Sequence, residues 1–70
     1  MTDRAGYRFV VKEYADGTPW IMLEPLYENL PIFKNGFLGF DLPTGTSYER
    51  AQDIARYMDD NITMTSFTAL

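Results

Sequence analysis

The residues in this chain that could do chemistry are few, and three glycines ahead of a helix come first. The stretch 33-FKNGFLGFDLPTGTSYERA-51 places Gly36, Gly39 and Gly45 before an apolar-periodic run. Glycine-rich turns entering a helix hold phosphate in many proteins, because free backbone N–H groups and the helix dipole converge there. A phosphate-binding loop needs G-x-x-x-x-G-K-[ST], with lysine reaching the phosphates and the hydroxyl ligating magnesium. Here five residues separate Gly39 from Gly45, and Thr46 stands where lysine is required. The dinucleotide pattern G-x-G-x-x-G fails as well, since the glycines are spaced three and six apart. Asp41 would repel an anion. The stretch reads instead as punctuation: a hairpin turn at Gly36, close packing or a bulge at Gly39, and a Pro43-Thr44-Gly45 turn into the helix. A small-ligand or anion site at the Thr46 helix terminus remains a lesser alternative.

The acids Asp53, Asp59 and Asp60, beside Asn61, form the second candidate group. Carboxylate oxygens suit calcium or magnesium, but calcium takes six to eight of them and no D-x-[DN]-x-[DN]-G loop supplies them. The sequence predicts no metal site; the three acids read as a solvated patch, offset by Arg56 and able to face a basic partner. Catalysis finds no footing. The chain has no histidine and no cysteine, so Ser47 and Ser66 lack an activating base, with Lys12 and Lys34 the only lysines. Glu24 and Glu28 are separated by Pro25 and need not share a face. No enzyme activity and no cofactor is expected.

These residues must be positioned by a single small domain. Seventy residues with 46% hydrophobic content suit an ordered globule. Chains this short are usually reinforced by disulfides, metal or oligomerisation. Without cysteine or histidine, aromatic burial and self-association are the routes left. The net charge of −4 argues against direct nucleic-acid binding, which needs a basic face. No run reaches the length of a membrane span, and residues 1–6 lack a signal peptide's apolar stretch, so a cytoplasmic location is the expectation.

Along the chain, residues 1–5 read as a frayed arm ahead of a domain at 6–70. Alternation over 7–14 and a strand at 19–24 flank Asp16-Gly17, a hairpin signal. Pro25 and Pro31 interrupt the next segment. It reads as a short, irregular edge strand near 31–34 turning at Asn35-Gly36 into a strand at 37–41, or as one long loop over 25–36. A helix is expected over 47–60, with Thr46 as N-cap and Glu49 closing a capping box. Tyr48, Ala51, Ile54, Ala55, Met58 and Ile62 give it an apolar face. A last strand follows at 63–68. The order β-β-β-α-β predicts an α+β two-layer sandwich, a small and mostly antiparallel sheet with one amphipathic helix on one face.

Eleven aromatic residues exceed what one helix can cover. Trp20, Phe33, Phe37 and Phe40, gathered around the turns, are therefore the candidate interface. The Asp-Gly hairpin, further strand and Gly45-Thr46-Ser47-Tyr48-Glu49-Arg50-Ala51 helix entry resemble the small N-terminal domain of HicB-type antitoxins, in which Gly-x-Thr-x-x-Glu-Ala opens the helix. That resemblance implies a partly degenerate RNase H-like fold and an inhibitory module masking a basic toxin. The leading expectation is a protein acting through protein–protein contact, as a homodimer joined at an edge strand or the helix-free face.

Overall fold

In the computed structural model, which describes residues 1–70, the chain runs β1 (Thr2–Ala5), β2 (Tyr7–Glu13), β3 (Pro19–Pro25), a 3-10 turn (Pro31–Phe33), β4 (Gly39–Asp41), α1 (Tyr48–Asn61) and β5 (Thr65–Thr68). The architecture is α+β, with antiparallel strands and the helix packed across β2 and β3. The strands form two sheets, β2-β3-β4 and β1-β5.

The hairpin forms where the sequence placed it. β2 pairs with β3 from Tyr7↔Pro25 to Glu13↔Pro19. Gly17 N–H donates to the Tyr14 carbonyl at 2.9 Å, and Gly17 takes φ 87°, a conformation glycine adopts without strain. Asp16 Oδ1 accepts from Thr18 N–H at 2.9 Å, which holds its carboxyl below the usual aspartate range.

Strand alternation divides the apolar residues. Tyr7, Phe9, Ile21 and Leu23 point toward the helix and are buried, Ile21 completely. The helix meets them with Ala51 and Ala55, both buried, whose small side chains let it approach closely. Leu30 closes one end of this core. It is held there by Tyr7, whose hydroxyl accepts from Leu30 N–H at 2.8 Å and donates to Asn29 Oδ1 at 2.6 Å. Phe33 meets the Tyr7 ring edge-on, centroids 6.2 Å apart.

Five expectations need correction. Residues 1–5 are not a frayed arm: Thr2–Ala5 pairs with Thr65–Thr68, and the Thr2 and Thr68 hydroxyls lie 2.8 Å apart. The last strand therefore completes this second sheet with β1, whereas a single four-stranded sheet was expected. The edge strand near 31–34 is absent, replaced by a 3-10 turn that Pro31 opens. Its bonding continues through Lys34 N–H to Pro31 and Gly36 N–H to Phe33. Neither Asn35 nor Gly36 has positive φ, which a two-residue Asn-Gly hairpin turn demands, so no hairpin forms there. The strand expected at 37–41 shortens to Gly39–Asp41.

The helix N-cap moves by one residue. Ser47, not Thr46, caps α1: its Oγ accepts from Arg50 N–H at 3.0 Å. Thr46 instead donates its hydroxyl to the Pro43 carbonyl at 2.6 Å, within a turn in which Gly45 has φ 88°. The shift puts Arg50 three residues after the cap and leaves Glu49 one short, so the reciprocal box does not close.

Candidate functional site

The four aromatic residues of the candidate interface do not stay together. Phe40 lies opposite Ile21 and packs on Phe9, centroids 6.1 Å apart, so it belongs to the helix side with Phe33. Trp20 and Phe37 occupy the other face and stack at 5.7 Å with planes 22° apart. Tyr14 stacks on Trp20 as well, at 5.5 Å and 22°. The result is a run of three rings, Tyr14–Trp20–Phe37, on the helix-free face of the sheet.

Two local features set these rings. Gly39 provides the floor: a Cβ there would come within 2.7 Å of Trp20 Cζ3, so the indole lies where only glycine admits it. Asp41 fixes the cover, since Tyr14 donates its hydroxyl to Asp41 Oδ1 at 2.5 Å. That bond to a carboxylate raises the Tyr14 pKa above the ordinary tyrosine value. Under this cover the Trp20 indole N–H is enclosed without an acceptor, which costs about 1–3 kcal/mol. Phe37 stays 63% exposed and Tyr14 48%.

Register gives the face its electrostatics. Lys12, Trp20 and Asp41 share one row across the sheet, Val10, Met22 and Gly39 the next, and Arg8 and Glu24 a third. Arg8 Nη2 bridges Glu24 Oε1 at 2.5 Å. An apolar centre is thus framed by a cation at one edge and a carboxylate at the other. Neither Lys12 nor Asp41 was placed by local pattern: a two-residue turn at Asp16-Gly17 would set Glu13 opposite Trp20, whereas the three-residue loop that forms, closed by Tyr14 and Thr18, sets Lys12 there. The pairing of β4, which places Asp41, depends on a connection from 26 to 38 with no regular pattern.

The acidic group is taken apart. Asp59 turns to the sheet, where its Oδ1 accepts from Phe9 N–H at 2.7 Å on the open edge of β2. Asp53 pairs with Arg56 at 3.2 Å, and Asp60 is left exposed. No three acidic or other ligating side chains gather as a metal site would require. Between β2 and α1 lies a shallow cleft of about 440 Å³, lined in part by Val11, Tyr48, Gln52 and Arg56. Thr46 and Glu49, expected to form one cap, serve separate roles, and Thr46 borders a polar hollow with Asp16, Thr18 and Gly45.

Set against known protein families, characterised proteins and solved structures, the chain matches none. The likeness to HicB-type antitoxins is left with the helix-entry residues, because β1 precedes the hairpin and pairs with β5 in a second sheet, which departs from the expected element order. No helix is long and apolar enough to cross a membrane.

Proposed function

We propose that this chain is a cytoplasmic protein–protein interaction module that works as a homodimer. One observation carries the reading: too much of the surface is left outside. The accessible area is 5308 Å². A folded monomer of 8.1 kDa exposes about 4,500 Å² by the mass scaling of compact proteins. The excess of about 800 Å² equals one partner's share of a standard interface. Only nine of 70 residues are buried, while Tyr27, Phe37, Tyr57 and Met64 are each at least half exposed.

An inhibitory role for the acidic helix face has weaker support, because Asp59 bonds the sheet and Asp53 pairs with Arg56. Ligand binding at the helix terminus is opposed by the use of Ser47 Oγ as an internal cap. Sedimentation equilibrium across the micromolar range tests the reading. A mass twice that of the chain is expected; a strict monomer overturns it.

A further inference from the structure

We propose that two copies pack helix-free face against helix-free face, about a two-fold axis running along β3. The proposal rests on the homodimer reading and adds the surface, the axis and the pairs that meet.

The surface follows by elimination among the parts of the β2-β3-β4 sheet. Its inner face is filled by α1. The open edge of β2 is interrupted at Phe9, whose N–H is already bound by Asp59. The edge of β4 is only three residues long. The outer face remains, and it has the build of an interface: Val10, Trp20, Met22 and the flanking rings at the centre, charges at the rim. Aromatic residues set in such a centre carry most of the affinity where they occur.

Charge then selects the axis. Two sheets packed face to face keep their strands roughly aligned. That leaves an in-plane two-fold axis either along the strands or across them. An axis across the strands, centred on Met22, lays Lys12 over the partner's Arg8, a cation on a cation. An axis along β3 exchanges the two edges of the sheet. Lys12 of each copy then faces the partner's Asp41, because both lie in the Trp20 row on opposite sides of β3. Two opposite-charge pairs form at once, the ring stacks meet at the axis, and Val10 lies over the partner's Gly39. Glu24 lies on this axis and meets its own copy, one like-charge contact set against two opposite-charge pairs, whereas the other axis makes two like-charge contacts and no opposite-charge pair.

The test is a charge exchange between copies, read by sedimentation. Lys12 makes no side-chain hydrogen bond or ion pair within its own chain, so Lys12→Asp leaves the fold intact and isolates the contact. Lys12→Asp and Asp41→Lys are each expected to weaken the dimer by at least about tenfold, because each creates two like-charge pairs. An equimolar mixture of the two variants is expected to recover association as a heterodimer, and the double variant as a homodimer. Asp41→Lys also removes the Tyr14 bond, so circular dichroism on that variant accompanies the measurement; Phe37→Ser, expected to weaken the dimer similarly, gives a second readout free of that bond. A wild-type dimer whose variants and mixture associate like the wild type overturns this surface and leaves the homodimer reading standing. A wild-type monomer overturns both.

Discussion

Neighbours on β3 meet opposite surroundings. Ile21 and Leu23 face the helix and are almost wholly removed from water. Trp20 and Met22, each one residue away, lie on a face covered only by rings from the same sheet and its flanks. The inner face is closed by a separate element whose small Ala51 and Ala55 allow a fit. The outer face is closed by large side chains stacked over Gly39, and large side chains lying flat still present area. In a chain this short, the inner face must supply most of the stability.

The sharpest way to break that contrast is to shorten neighbouring residues on the two faces. Ile21→Ala is expected to cost about 2–5 kcal/mol, the range for emptying a packed aliphatic site. A core this small yields about 3–5 kcal/mol in total, so the variant should be largely unfolded in a urea titration. Met22→Ala, under conditions where the protein is monomeric, is expected to cost only about 1 kcal/mol. Equal losses would mean that the outer face is packed as tightly as the inner.

Gly39→Ala is expected to come next, at about 1–3 kcal/mol, because the new methyl meets the indole and forces the ring to shift. Trp20 is the sole tryptophan, so its emission reports the displacement directly. Unchanged emission would mean that the ring does not lie on Gly39.

A smaller effect probes the helix that closes the inner face. Ser47→Ala should remove about 1 kcal/mol, the typical worth of an N-cap, and Thr46→Ala distinctly less. The reverse order, measured by thermal melting, would return the cap to Thr46.

The smallest effect belongs to the ring cover. Tyr14 has a raised pKa through its bond to Asp41, so its protonated form is favoured by folding. Its contribution is fully present below the ordinary tyrosine value and fades as pH rises through the raised one. Phenolate absorbance should contain a late step above the ordinary tyrosine value. Tyr14→Phe should abolish that late step, and its persistence would place it on another tyrosine.

The parts legible in the sequence were those with a local cause. Asp16-Gly17 marked the turn that joins β2 to β3. The spacing of Ala51, Ala55 and Met58 marked the helix. What escaped was decided at a distance or by competition. The partner of β1 lies 60 or more positions away at β5, and no short pattern records such a pairing. Asn35-Gly36 carried a genuine hairpin signal, but the turn begun at Pro31 runs on into it, binding the Gly36 N–H to the Phe33 carbonyl and leaving neither residue at positive φ. Thr46 and Ser47 are both good caps, and the turn at Gly45 engaged the first. For the candidate site, the split of Phe37 from Phe40 and the role of Asp41 both required the register of β4.

The bond from Phe9 N–H to Asp59 has a consequence for how this protein behaves in a crowded solution. An unprotected strand edge is a template on which foreign chains can extend a sheet, the first step toward cross-β aggregates. Near the middle of β2 that template is spoiled by a carboxylate anchored in the last turns of the helix. A stray strand would have to displace a charged acceptor and loosen the helix before its hydrogen bonds could run through. Open-ended growth along this edge is thereby stopped at a single residue of the strand.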